Sequence, residues 1–250
     1  NHEKQAFEEL TLDHAAEHTR AFIIVQDGCN QFCSYCIIPY ARGRVRSRNV
    51  QNVLEEVKRL AASGYQEVVL TGIHLSSYGI DCGESLLHLI QMEHQVEGIR
   101  RIRLGSLEPR IVTETFAEEL AKMEKICPHF HLSLQSGCDA TLARMNRKYT
   151  TEEYENACNI LRKNFTHPAI TTDVIVGFPG ETEEEFAQTK EYLKRIHFYE
   201  MHIFKYSRRQ GTREAVMEHQ VPEEIKPKRS AQQLALAERS RQKRQNRLIM

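Results

Sequence analysis

Six short runs of apolar and β-branched residues, alternating with stretches of helical spacing, constrain this chain more than any other feature. The runs are residues 21–26 (AFIIVQ), 67–71 (EVVLT), 101–104, 129–134, 170–176 (ITTDVIV) and 201–206. Helical spacing appears at 49–63, where Val53, Leu54, Val57, Leu60 and Ala61 recur on one side, and again at 85–91 and 113–124. Further helices are expected at 151–164, with Thr151 opening a capping box, and at 181–196; Thr113 is the candidate cap of its helix. Strands separated by helices of this length pair through right-handed crossovers, so a parallel α/β sheet is expected. Six strands are countable, and the seventh and eighth of a complete eight-fold barrel are not found. An open doubly wound sheet is the other architecture with this alternation. Both place ligands at the carboxyl ends of the strands.

The first run leads straight into Gly28-Cys29-Asn30-Gln31-Phe32-Cys33-Ser34-Tyr35-Cys36, a C-x3-C-x2-C cluster. The other cysteines of the seven, Cys82, Cys127, Cys138 and Cys158, are scattered and read as small buried hydrophobes. An odd count and the lack of an apolar leader argue against a disulfide framework and for a reducing, cytoplasmic setting. Structural zinc wants four ligands, often in two C-x2-C-like pairs, and no second pair or matching His is present. Three thiolates on one tight loop suit an iron–sulfur cube held through three of its four irons, with the fourth iron left open for chemistry. A zinc ion completed by water, in a purely structural domain, is the competing reading.

The other strand ends carry polar residues. Residues 71–79 (TGIHLSSYG) put Thr71 and Gly72 after the second strand, where a bound cofactor would meet a hydroxyl and a glycine. The third strand ends in 105–110 (GSLEPR). Ser133 and Gln135 share one face of an extended chain. Asp173 lies within an apolar run and needs a partner if buried, while Gly177 and Gly180 permit positive φ or close backbone approach. Thr182 and the three glutamates after it open a helix, with the acids near its positive end, and read as structural.

The cysteine loop resembles the signature of the radical S-adenosylmethionine enzymes, C-x3-C-x-aromatic-C, with Tyr35 in the aromatic slot. That resemblance implies a partial, six-stranded (β/α)6 barrel, open on one side. It implies a 4Fe-4S cluster on Cys29, Cys33 and Cys36, with S-adenosylmethionine chelating the open iron and cleaved by one electron to methionine and a 5′-deoxyadenosyl radical. It also implies cofactor contacts from Tyr35, Thr71, Gly72, Ser133, Gln135, Asp173, Ile175 and Gly177; the segment around Ile175 and Gly177 would form an apolar shelf under the adenine. The usual Gly-Gly-Glu after the second strand is not present.

A finer resemblance, to the methylthiotransferase branch, runs from about Arg20 onward. It rests on 28–48 (GCNQFCSYCIIPYARGRVRSR), 70–79 (LTGIHLSSYG), 132–150 (LSLQSGCDATLARMNRKYT), 172–182 (TDVIVGFPGET) and 204–212 (FKYSRRQGT). The Ile-His-Leu-Ser-Ser-Tyr-Gly wording is most similar to the subgroup acting on N6-threonylcarbamoyladenosine 37 of tRNA, whose reaction replaces the adenine C2 hydrogen with a methylthio group. The alternatives are the isopentenyladenosine and ribosomal-protein branches, or an RNA-binding barrel without catalysis. Full-length members carry an N-terminal domain with three more cysteines for a second 4Fe-4S cluster, and a small C-terminal RNA-binding barrel. The resemblance therefore implies a linker or frayed end at 1–20, the radical barrel at 21–221 and a basic linker helix at 222–250, with a chain incomplete for sulfur insertion.

Net charge is zero, with 34 basic and 34 acidic residues, so only local charge speaks to partners. Arg42, Arg44, Arg46 and Arg48 alternate with no acid between Tyr40 and Asn49. In an extended segment they would share one side and form a phosphate-binding face, as a tRNA substrate demands. A reductant protein of unspecified identity is implied as a second partner. No window of 18 apolar residues exists, so no spanning helix and no membrane partner are expected.

Overall fold

The computed structural model describes residues 20–249, with side chains to residue 242. β1 (Arg20–Asp27) leads into the cysteine loop, a single turn α1 (Ile38–Ala41) and a two-residue strand β2 (Arg46–Ser47). There follow α2 (Val50–Ala62), β3 (Glu67–Gly72), α3 (Leu86–His94), β4 (Arg101–Leu104) and β5 (Ser106–Leu107). The second half runs α4 (Glu114–Ala121), β6 (His129–Leu132), α5 (Asp139–Arg144), α6 (Thr151–Asn164), β7 (Ala169–Val176), α7 (Glu183–Ile196), β8 (Glu200–Lys205) and α8 (Ile225–Ile249).

The strands form two four-stranded sheets, β2-β1-β3-β4 and β5-β6-β7-β8, parallel throughout except for the short β2. β4 and β5 are one strand bent at Gly105, whose N–H donates to the Leu70 carbonyl at 2.8 Å. A Cβ there would lie 2.9 Å from that same oxygen, so the bend needs glycine. Counting β4 and β5 as one gives six parallel strands curled into a half-barrel, the expected fold class.

Helices cover the convex side. Ala21, Ile23 and Val25 of β1 are buried in one core with Val53, Leu54, Val57 and Leu60 of α2. The alternate residues Phe22 and Ile24 are 54% and 58% exposed. A closed barrel fills its interior with such side chains; here that face stays open. Caps set the helix starts: Asn49, Ser85 and Thr113 each accept a backbone N–H of the first turn. The capping box of α6 is built by Thr150 and Glu153, one residue earlier than expected, because Thr150 is the residue still extended. Thr182 and Glu185 form the same box on α7.

Arg20 is the first residue of β1, and residues 1–19 of the expected linker lie outside the described ones. At the other end, Lys226, Arg229, Ser230 and Gln233 are buried, so the start of α8 is part of the barrel body. Among the described residues no helix is long and apolar enough to cross a membrane.

Candidate functional site

The cysteine loop is fastened from several sides. Gly28 at φ +70° turns the chain out of β1, and Cys29 N–H donates to the Gly43 carbonyl at 3.1 Å. Gln26 Nε2 donates to the Asp27 and Gly28 carbonyls, both at 2.7 Å. From the opposite wall, Asn146 Nδ2 donates to the Phe32 carbonyl at 2.7 Å, and Ser34 N–H donates to the Met145 carbonyl at 3.0 Å. Segments more than a hundred residues apart thus hold one loop.

Cys29, Cys33 and Cys36 are all free and border one cavity of about 150 Å³, together with Gln31, Tyr35, His74, Glu108, Ser133, Gln135 and Arg147. A larger cavity of about 300 Å³ adjoins it, sharing Tyr35, Cys36 and Gln135 and adding Asp173, Ile175 and Phe204. Burial pushes the Cys29 and Cys36 thiols up, and the neighbouring thiols push them further. Three thiolates here call for a compensating positive charge. Part of it is Arg147, whose Nη1 donates to Cys33 Sγ at 3.2 Å and whose Nε donates to Tyr149 Oη at 3.0 Å. Burial opposes the guanidinium charge, but Tyr149, Tyr35 and Cys33 around it outweigh burial and hold it protonated.

Among the described residues, one trio of His, Cys, Asp or Glu side chains brings its ligand atoms within 4.8 Å of one another, and it is not the cysteines. A single tetrahedral zinc with bonds of about 2.3 Å would need its sulfurs closer than that. A cube, in which each sulfur takes a different iron, needs the wider spacing. Three thiols on one loop, with no fourth Cys or His ligand among the described residues beside them at the cavity other than His74, match the donor number of a cluster held through three irons.

Opposite the thiols stands Glu108, only 6% exposed. Arg110 donates to both carboxylate oxygens at 3.1 Å, and His74 Nε2 lies 3.5 Å away. Burial alone would raise the Glu108 pKa, but the His74 and Arg110 contacts more than reverse it, to about 2. The cavity thus carries a cation at Arg147, bonded to Cys33, and an anion at Glu108, bonded to Arg110.

Ser133, Gln135 and Tyr35 line the thiol cavity, and Asp173 and Ile175 line the adjoining one. Gln135 adopts φ +72°, with its N–H donating to the Asp173 carbonyl at 2.8 Å. Tyr35 meets Phe178 edge to face at 6.2 Å. Thr71 and Gly72 are placed elsewhere: the Thr71 hydroxyl donates to the Ile23 carbonyl at 3.1 Å, and Gly72 lies against Gln26. The next residues, Ile73 and His74, take their place at the cavity. Gly177 faces Lys226 of α8, where a Cβ would come within 2.6 Å of Cγ, so it serves helix packing.

The four arginines do not share one face, because 38–41 is helical and only 46–47 is extended. Arg48 is buried in an ion pair with Glu56, and Arg46 bonds Asp27 at 2.5 Å. Arg42 and Arg44 remain at the surface, Arg44 over the Phe32 ring. Glu108 and His74 were not singled out as site residues. The available signal was Glu108 directly after a strand end, followed by Pro109 and Arg110.

A parallel half-barrel with unpaired thiols on the loop after its first strand defines the class. Residues 23–193 match the family model of the Radical SAM superfamily, and the chain belongs to that superfamily. Within it, the chain is 44% identical over 236 residues to the threonylcarbamoyladenosine tRNA methylthiotransferase MtaB of Bacillus subtilis (strain 168), covering 94% of this chain and 52% of that protein. It is 48% identical over 213 residues to MtaB of Aquifex aeolicus (strain VF5), covering 85% and 52%. A tRNA-2-methylthio-N(6)-dimethylallyladenosine synthase of Acetivibrio thermocellus is 44% identical over 212 residues, covering 84% and 44%. The chain thus spans about half the length of these curated relatives. Among solved structures, coproporphyrinogen III oxidase (HemN) from Escherichia coli shares the fold with a TM-score of 0.64 at 16% identity, over 90% of this chain and 54% of that one.

Proposed function

We propose that this chain is the catalytic barrel of a tRNA methylthiotransferase that adds a 2-methylthio group to N6-threonylcarbamoyladenosine 37. Identity of 44–48% to proteins so named supports the reading. The observation that carries the chemistry is the trio of free thiols opening on one cavity between Arg147 and Glu108. In this reading Cys29, Cys33 and Cys36 hold a 4Fe-4S cluster, and S-adenosylmethionine occupies the joined cavities. When bound, the cluster supplies one electron for reductive cleavage of the sulfonium.

The protein's own residues then bind, orient and exclude water. Arg147 neutralises thiolate charge and offers a cation to the ligand's carboxylate. The Glu108 carboxylate offers an anion to its ammonium group. Ser133 and Gln135 supply polar contacts, and Tyr35 with Phe178 and Ile175 gives the adenine an apolar wall. Arg44, and Arg42 with its looser 3.8 Å ion pair to Asp27, are the members of the basic segment nearest to being available to phosphate. A thiol-based centre of this kind fits a reducing compartment, the cytoplasm. The expected 1–20 and 222–250 flanks toward further domains belong to the same proposal, as does a second cluster in the N-terminal one.

The test is anaerobic reconstitution with iron and sulfide, followed by measurement of 5′-deoxyadenosine. We expect dithionite-dependent 5′-deoxyadenosine from this chain, with no methylthiolated nucleoside until the flanking domains are supplied. Zinc in place of iron, or no 5′-deoxyadenosine from iron-loaded protein, would overturn the reading. The relative named for dimethylallyladenosine favours a second substrate. Nucleoside analysis of tRNA treated with the complete enzyme separates the two.

A further inference from the structure

Three neighbouring strands aim metal-binding side chains at one point. His131 of β6, Asp173 of β7 and His202 of β8 each bring a ligand atom within 4.8 Å of the other two. The strand register enforces this. His131 is paired with Thr171, and Asp173 with His202, so the side chains rise from the same face of adjacent parallel strands. His131 Nε2 already lies 3.2 Å from Asp173 Oδ2, and the two rings are 6.0 Å apart and tilted by only 31°. Asp173 also borders the larger cavity. We propose that His131, Asp173 and His202 form a binding site for one divalent first-row transition-metal ion, with a coordination position open toward that cavity.

Two imidazoles and a carboxylate are the donor set that borderline cations such as Zn²⁺ or Fe²⁺ favour, and three protein ligands leave room for a water or a ligand oxygen. Bonds of about 2.0–2.2 Å would hold the ligand atoms about 3.4 Å apart. The His131–Asp173 pair has that separation, and His202 is exposed, so its ring is free to close the remaining gap. A supporting contact is in place as well. Thr171 Oγ1 lies 2.9 Å from His131 Nδ1. Accepting the Nδ1 proton fixes the tautomer whose Nε2 lone pair faces the carboxylate, and a cation between them satisfies both acceptors. None of the three ligands belongs to the cysteine loop.

Co²⁺ titration of the full 250-residue chain tests this, because Co²⁺ reports its ligands by colour. It is run on the wild type and on the chain carrying Cys29→Ser, Cys33→Ser and Cys36→Ser. The expected result is one equivalent bound in the serine variant, with visible bands of nitrogen and oxygen ligation and no near-ultraviolet thiolate band. His202→Ala, at an exposed position that folding does not depend on, should abolish that equivalent. Thr171→Val should weaken it about 10–100-fold. If the serine variant does not fold, the same bands are sought in the wild type as a second equivalent that His202→Ala removes. No such equivalent, a thiolate band on the only bound ion, or binding unchanged in His202→Ala would overturn the proposal, leaving His131 and Asp173 as a closed hydrogen-bonded pair.

Discussion

Gly28→Ala disturbs the cysteine loop while leaving every cysteine in place. Gly28 sits at φ +70°, and a Cβ on it would lie 1.9 Å from the Arg44 carbonyl oxygen. The left-handed backbone alone costs a non-glycine residue roughly 1–2 kcal/mol. The contact is with backbone, so it is relieved only by moving residues 43–45 outward. That movement breaks the 3.1 Å bond from Cys29 N–H to the Gly43 carbonyl, worth about 1 kcal/mol. The combined loss is about 3 kcal/mol. Gly64→Ala is the control: its φ is +92° but nothing lies within 4 Å, so only the conformational penalty applies. At about 2–4 °C per kcal/mol for a chain of this size, Gly28→Ala should lower Tm by roughly 6–12 °C and Gly64→Ala by a few degrees. Calorimetry of the reduced, metal-free chain measures this. Iron content after anaerobic reconstitution should fall in Gly28→Ala and stay at the wild-type level in Gly64→Ala. Equal melting and equal iron in the two variants would refute the argument that the loop is built around a position closed to any side chain.

Two further expectations concern buried charge. Glu108 is held at about 2 in the folded chain against an ordinary 4.5, so its stabilisation is complete above pH 4.5 and is lost as pH falls toward 2. The amount at stake is at most about 3 kcal/mol. Urea unfolding should show the wild type and Glu108→Gln converging over that interval, and a gap that ignores pH would count against it. Arg48→Ala strands Glu56 in the core and should cost about 3–5 kcal/mol, whereas Arg44→Ala, at the surface, should stay within about 0.5 kcal/mol. Denaturant midpoints that reverse this order would contradict the assignment of the two arginines.

Much of the fold was legible because its signals are local. Asn49, Thr113 and Thr182 sit where helix-capping chemistry puts them, and β1, β3, β4, β7 and β8 fall within a residue or so of their apolar runs. The cysteine spacing was equally readable, since one short loop carries all three thiols. What escaped is what tertiary contact decides. Alternation of Arg42 to Arg48 reads as one extended face, but Pro39 starts a helical turn and Glu56, eight residues beyond Arg48, draws it inward. Thr71 looks like a ligand contact until the Ile23 carbonyl takes its hydroxyl. Glu108 became conspicuous only once His74 and Arg110 were seen beside it.

Helix α8 has a bearing on how this molecule can be cut or joined. Arg229 donates to Glu181 at 2.6 Å, and the same Glu181 oxygen receives the Gly177 N–H at 2.7 Å, just past the end of β7. Sever the polypeptide at the turn before Ile225 and that carboxylate is marooned without its counterion, at the foot of the strand bearing Asp173 and Ile175. The start of the helix is thus fastened to the end of a strand that borders the larger cavity. A fusion joint or protease site placed there would be felt first at the larger cavity.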